Sequence, residues 1–533
     1  MTLPATPQPQ RKTRRAPSPI RQALRAMQAQ NRTLTEQIVA QGVASTAAAK
    51  VAATVTKATL TPEESQAWMQ DLETRLETIR QCPEKNLGHI EEEMARSTRE
   101  QMRIIAERSA QITANQTPCR CSQHDTALTD QKWIARTIDS RFGSLRIFRH
   151  YGWCEKCQEW HFPADYALGL QRKASASPYI QEICALLTTK MPPEQAVAVA
   201  ARFGLDLSRC RLDREAHRQG LKAQAARDQF TAQLDAWEDF KALARHTDGP
   251  PSQPFTLVIQ IDAWNIRERD DWGKTEELLQ KKEKPSRYHW VYMATVFRLD
   301  HRGQTAGGRA VISERGYAAT RLGVEALIRQ LYREAHQRGL GQAKQVLVIA
   351  DGAVWIWNAA KDRFGDALQR LDLYHADEHL WEVANDLYGK GTPEARAWVA
   401  PLLLQVRDDQ TTAVMATLDE LKPRLQEAQQ KKLQTEIEYL QNNAHRMKYK
   451  EIMEARLACK NGVPTPEQLY KAQEPLGSGA IESTCRQYQC RFKRTGQFWS
   501  MSGDEALLCL ETFWRNDRWH ELYPHAKPAV ALN

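Results

Sequence analysis

The sequence predicts an α/β domain with an all-α insertion, preceded by helical segments and a cysteine-flanked β-hairpin. Three observations predict it. Strand-like runs at 255–261, 289–298 and 309–313 are followed by a helical pattern at 319–338 and an apolar strand at 345–350, an order typical of α/β architecture. Residues 376–470 then carry many charges and few β-branched runs, which suits helices. Cysteine pairs stand at both ends of an alternating strand–Gly–strand segment, 133–153.

At 533 residues the chain has room for about two to four domains. Hydrophobic residues make up 42% and charged residues 26%, enough for a sizeable core. No uninterrupted apolar run approaches the roughly 20 residues of a membrane span, and the polar, Pro-rich start is unlike a secretory signal. A cytoplasmic protein without a membrane partner is expected. Eleven cysteines, an odd number, point to reduced thiols, some on metal, rather than a disulfide framework.

Lys plus Arg number 74 against 65 Asp plus Glu, a net charge of +9. The distribution is more telling than the sum. Arg11, Lys12, Arg14, Arg15, Arg21, Arg25 and Arg32 precede the first acid, Glu36, so residues 1–35 read as a basic disordered arm, either a solvated tail or a polyanion contact. Residues 36–116 read as helical. Thr61 is the expected N-cap, Pro62 the first helical residue and Glu64 the partner in a capping box. Ile90, Met94, Met102, Ile105 and Ile112 recur at helical spacing, as a packing or oligomerisation helix requires.

The segment 117–165 reads as a hairpin turning at Gly143-Ser144. Its Cys154-x-x-Cys157 has metal-knuckle spacing. The other end is irregular: Cys119-x-Cys121, then His124. Either Cys119 and Cys121 both ligate, or Cys121-x-x-His124 supplies the regular knuckle; unmetallated thiols are the alternative. A structural Zn²⁺ on Cys119, Cys121, Cys154 and Cys157 is the expected form, a zinc ribbon. The remaining cysteines have no knuckle spacing and suit packing. Residues 170–248 are helical, and Ala196, Gly204, Ser208 and Leu212 have a helix-turn-helix rhythm that an ordinary helical hairpin also satisfies. Gly249-Pro250-Pro251 marks a boundary, followed by the α/β core at 253–375, the helical insertion at 376–470, a final core helix at 471–515 and a tail at 516–533.

Asp262 follows the apolar run Thr256–Ile261, and Asp351 follows Val346–Ala350. A carboxylate ending a strand stands at the sheet's rim, where open α/β sheets bind ligands. Glu482 follows a Gly/Ser turn, Gly477-Ser478-Gly479. Three converging carboxylates would suit two Mg²⁺ (or Mn²⁺) ions for phosphoryl transfer. Singly, each has a plainer account: Asp351-Gly352 could be a turn, and Glu482 with Arg486 an exposed pair worth about 0.3 kcal/mol. Beyond Glu482 come Arg486, Arg491, Lys493, Arg494 and Trp499, suited to phosphates and to stacking on a base, although a Trp also suits a core.

The blocks Asp351-Gly352-Ala353-Val354-Trp355-Ile356-Trp357, Leu371-Asp372-Leu373-Tyr374-His375-Ala376-Asp377-Glu378-His379-Leu380 and Gly477-Ser478-Gly479-Ala480-Ile481-Glu482-Ser483-Thr484-Cys485-Arg486 resemble, in order and spacing, bacterial insertion-sequence transposases of the ISKra type. The resemblance covers roughly residues 117–515. It implies an RNase H-like catalytic domain with an Asp-Asp-Glu triad and an all-helical insertion before the Glu. By position Asp351 is the second Asp and Glu482 the Glu. Asp262 is the first Asp, with Ala263 where a Gly is expected. Asp372 and His375 resemble an accessory motif that supports the site or positions DNA. The cysteine knuckles depart from the family's usual two-residue gap at Cys119-x-Cys121.

The resemblance thus implies a DNA transposase that binds its element's ends, cleaves them in a metal-dependent step and joins a 3′-hydroxyl to target DNA, acting as a homo-oligomer. Two alternatives are a non-catalytic zinc-ribbon and helix-turn-helix DNA-binding protein on a transposase-derived scaffold, and an RNase H-like nuclease that cuts without joining.

Overall fold

The computed structural model describes residues 52–82, 86–236, 254–269, 273–307 and 310–526, with positions 49, 240 and 271. The basic arm, Gly249-Pro250-Pro251 and the last residues of the tail lie outside the described residues. The chain divides into two compact units at Ile180/Gln181. Among the described residues no helix is long and apolar enough to cross a membrane.

The first unit starts with helices α1 (Pro62–Gln81) and α2 (Leu87–Gln116). The capping box is formed: Glu64 N–H donates to Thr61 Oγ1 at 3.2 Å, and Thr61 N–H to Glu64 Oε2 at 2.8 Å. Ile90, Met94 and Met102 lie exposed on α2. Strands β1 (Thr129–Ser140) and β2 (Gly143–Cys154) pair antiparallel, and β3 (Glu159–His161) adds to β2. The turn falls at Arg141-Phe142, two residues before the expected Gly143-Ser144. Gly143, at φ +126°, enters β2 and takes a conformation that side chains disfavour.

The second unit opens with helices α3 (Pro178–Lys190), α4 (Pro193–Arg202) and α5 (Arg209–Ala232). Helix α5 is not free along its length. Leu212, Glu215, Gln219, Gly220 and Ala223 are buried, and a Cβ on Gly220 would meet Ala506 Cβ at 2.4 Å.

The core is a mixed five-stranded sheet of β4 (Thr256–Glu268), β5 (Arg287–Arg298), β6 (Gly316–Thr320), β7 (Gln345–Ala350) and β8 (Leu368–Leu371), in the order β8-β7-β4-β5-β6. β4 runs parallel to β7 and β7 to β8; β4–β5 and β5–β6 are antiparallel. Three expectations change here. β4 does not end at Ile261: it continues with β5 as a two-stranded ribbon, because Asp262–Glu268 pair across to Arg287–Met293. Residues 310–312 join a separate small ribbon with 302–304, and the fifth sheet strand is β6. Ala319 and Thr320 therefore belong to a strand, and helix α6 spans only Val324–Gln337.

One sheet face carries Leu257, Ile259, Ile261, Val348 and Ala350 against α6 and α7 (Val354–Arg363). The other carries Val258, Leu347 and Ile349. Helices α8 (Leu373–Tyr388), α9 (Pro393–Arg407), α10 (Thr411–Asp419), α11 (Glu427–Asn443), α12 (Lys450–Lys460) and α13 (Pro466–Ala472) follow, and then α14 (Gly479–Phe492) and α15 (Met501–Arg515). The stretch 376–470 is helical apart from turns.

Candidate functional site

The parallel register of β4 and β7 pairs Thr256 with Gln345 and Gln260 with Ile349. Asp262 lies two residues beyond the last pair within β4, and Asp351 directly follows the last residue of β7. Asp262 follows the alternation of Val258 and Gln260 and so belongs to the sheet face that carries Leu347 and Ile349. Asp262 is thus inside a strand yet at the rim of the parallel sheet, because β7 stops at Ala350 while β4 runs on with β5.

Burial pushes the Asp262 carboxyl above its usual range and the charge of Asp351 adds to this. The Ala263 N–H (2.6 Å) and the Cys485 thiol, both donating to Asp262, oppose the rise. Asp351 Oδ1 accepts from Ala353 N at 3.0 Å, and its carbonyl accepts from Tyr439 Oη at 2.6 Å. Tyr439 lies on α11, so the helical insertion touches the site directly.

Glu482 stands in the first turn of α14. Gln260, buried two residues before Asp262, holds that turn: its Nε2 donates to Gly477 O at 3.2 Å, and its Oε1 accepts from Ile481 N at 3.0 Å. Cys485 lies one turn on from Glu482, and burial together with the charges of Asp262 and Glu482 raises its thiol.

Asp372 is fully buried. As N-cap of α8 its Oδ1 accepts from Tyr374 N at 2.6 Å and His375 N at 3.4 Å; its Oδ2 accepts from Ser478 N and Oγ, both at 2.5 Å. Ser478 Oγ lies 3.2 Å from Glu482 Oε1. Upstream, Arg370 Nη2 donates to Glu474 at 2.6 Å and Leu373 N to Leu476 O at 3.0 Å. Strand β8 and the start of α8 are thereby stitched to the segment that delivers Glu482. Ligand atoms of Asp372, His375 and Glu482 lie within 4.8 Å of one another, a group able to hold a cation.

The basic residues beyond Glu482 separate into two sets. Arg486, Lys493 and Arg494 are exposed. Arg491 is 8% exposed and donates from Nε to Thr188 O at 2.9 Å. Trp499 is half-buried: Nε1 donates to Phe492 O at 2.9 Å, the Phe492 ring lies 5.0 Å away, and Arg491 stands over its face at 5.0 Å. Arg491, on α14, and Trp499, in the segment after it, are therefore packed against neighbouring residues rather than open on the surface, and both line a cavity.

In the first unit, Cys121, His124, Cys154 and Cys157 form one group with all ligand atoms within 4.8 Å. This corrects the expected set: His124 stands where Cys119 was expected. The reason is two matching turns. Asp125 N–H donates to Cys121 O, and Gln158 N–H to Cys154 O, both at 2.9 Å. The residues that follow His124 and Cys157, Asp125 (φ +48°) and Gln158 (φ +54°), are both left-handed. Each turn brings its fourth residue over its first: His124 Nδ1 is 3.6 Å from Cys121 Sγ and 3.8 Å from Cys154 Sγ. Cys119 sits before the first turn, beside this cluster, and burial raises its thiol. Backbone N–H groups of Cys157 and Lys156 help pull the Cys154 thiol down to about 5, while burial and the neighbouring thiols push Cys157 up to about 12. Three sulfurs and an imidazole in mutual contact are a donor set that fits Zn²⁺.

Several site residues were not singled out from sequence. Gln260 had a signal, a lone amide inside an apolar strand and in phase with Asp262. His161 also had one, four residues after Cys157; it is buried, with Nε2 3.0 Å from Cys157 Sγ and 3.7 Å from Cys121 Sγ. Ser478, Cys485 and Tyr439 reach the site only through folding.

No family model matches the chain, and no curated protein matches it.

Proposed function

We propose that the chain is a DNA transposase of the DDE type, with an RNase H-like catalytic domain, a structural zinc ribbon, and DNA as both its bound ends and its target. The observation that carries this reading is Asp262 in β4 and Asp351 directly after the parallel strand β7, near enough for the charge of Asp351 to act on Asp262, with Gln260 holding the start of the Glu482 helix. The mixed sheet, and a helical stretch between the second Asp and the Glu, support the RNase H-like part.

Asp262, Asp351 and Glu482 are hard oxygen donors; burial, with the charge of Asp351 adding to it, raises Asp262, and a bound cation would offset both. They would hold Mg²⁺ or Mn²⁺, which on binding activates an attacking oxygen and stabilises a leaving one. Asp372 and Ser478 position Glu482. Arg486, exposed one turn beyond Glu482 and 3.8 Å from it, offers a phosphate contact. Cys121, His124, Cys154 and Cys157 would hold Zn²⁺, which ties the two ends of the hairpin together. A homo-oligomer on paired ends belongs to the same reading.

The test is Asp351→Asn in the full chain, assayed with Mg²⁺ for new 3′–5′ joints between element-end DNA and a target plasmid. Joining should vanish while end binding persists. Joining retained by the variant overturns the reading; cutting without joining in the parent points to a nuclease.

A further inference from the structure

A cavity of about 800 Å³ opens beside the C-terminal end of α14. Its walls are the first turns of α5, with Arg209, Asp213 and His217, the start of α4, and the segment running from Arg491 to Ser500. Its volume is within the range of about 300–1,000 Å³ typical of small-ligand sites.

Arg491 is the unusual member. It is more than nine-tenths buried and lines the cavity, yet no carboxylate among the described residues lies within 4.0 Å of its guanidinium. Glu511 and Asp213 act on it only at longer range. A buried cation without a close counter-charge is costly, and an anion entering the cavity would relieve that cost. Arg494, exposed at the rim, adds a second cation. The acids in the wall offset this charge only in part, since Arg209 pairs with Glu194 at 2.7 Å and stands 3.9 Å from Asp213.

The remaining wall is aromatic. Phe498 and Trp499 both line the space, and Arg267 and Arg269 stand 4.9 and 5.4 Å from the Phe498 ring. Two arginines beside two aromatic rings match a phosphate joined to a flat base. Arg491 lies nine residues after Glu482 on one helix, about 13 Å along its axis. That is a span of about four stacked nucleotides at about 3.4 Å each.

We propose that this cavity takes one unpaired nucleotide of the DNA strand engaged at the carboxylate site, with its phosphate on Arg491 and Arg494 and its base against Phe498 and Trp499. The proposal rests on the DNA-processing reading above, and its test is independent of catalysis.

The probe is a 12-nucleotide single strand carrying one 2-aminopurine, titrated without divalent cation against the full chain. Arg494→Ala, at an exposed position, should weaken binding about fivefold and lower the salt slope by about one. Phe498→Ala should weaken it about 5- to 150-fold and abolish the 2-aminopurine emission change. An abasic residue in place of the 2-aminopurine should make the parent and Phe498→Ala bind alike. Equal affinity and emission for the parent and both variants overturn the proposal and leave the catalytic reading intact, as does a parent chain that joins DNA but binds no single strand. Weakened binding in both variants, in a chain that joins no DNA, supports the cavity and removes the catalytic reading.

Discussion

The hydroxyl of Tyr439 donates to the carbonyl oxygen of Asp351 at 2.6 Å, across Gly352. A residue of the helical insertion therefore fixes the backbone at the end of the second acidic strand. Gly352 adopts φ +94°, and a Cβ there would meet Tyr439 Oη at 2.7 Å and Leu371 Cδ1 at 3.0 Å. Gly352→Ala should cost about 1–3 kcal/mol through strain and collision. Tyr439→Phe should cost about 1 kcal/mol for the lost hydrogen bond. Denaturant titration of both variants measures the difference.

Asp372 caps α8 and holds Ser478 with the same carboxylate. Asp372→Ala removes the cap and leaves Ser478 without its buried acceptor, an expected loss of about 2–4 kcal/mol. Ser478→Ala keeps the cap and should lose less, while still disturbing Glu482. Thermal unfolding ranks the two; a smaller loss for Asp372→Ala than for Ser478→Ala would contradict the assignment.

The zinc reading separates cysteines that look alike in sequence. The parent should bind one equivalent of zinc, and Cys119→Ser should keep it. Cys154→Ser should lose it and melt at lower temperature, since a structural site contributes directly to folding. His124→Ala should bind more weakly yet retain metal, because His161 offers a second imidazole beside Cys157. Metal analysis after dialysis reads all three.

A buried acid makes stability depend on pH. Asp504 has no exposed surface, and burial is the chief cause that lifts its carboxyl to about 8. Arg321 lies 3.1 Å from Asp504 and also pairs with Glu268, so one guanidinium faces two carboxylates. The folded chain keeps a proton that the unfolded chain releases near pH 4. Stability from this group is therefore full below the unfolded value, falls as pH rises, and is lost above about pH 8. Asp504→Asn should flatten the fall in denaturation midpoint between pH 5 and pH 8; an unchanged slope would refute it.

Much of the local organisation is legible in the residues. The capping box at Thr61 and Glu64, strand 345–350 and the helical run 376–470 follow from short-range preferences and periodicity, which act within one or two turns of chain. The Cys154-x-x-Cys157 knuckle is legible for the same reason. Strand β8 was missed because four residues carry too little pattern, and the end of β4 was misread because its continuation depends on pairing with β5.

What the sequence alone determined is the set of chemically capable residues: acids after apolar strands, thiols at knuckle spacing, and a cationic helix. Only the tertiary structure decided which of them meet. Parallel pairing of β4 with β7 brought Asp262 and Asp351 to the same end of the sheet, Gln260 and Asp372 set the start of the Glu482 helix, and the left-handed turn at Asp125 brought His124, not Cys119, into the group with Cys121, Cys154 and Cys157. The same packing buried Arg491 and half-buried Trp499 while leaving Arg494 exposed. Residue identity sets the chemistry a side chain can perform, but partners far apart in the chain set its position and solvation, and no local pattern encodes those contacts.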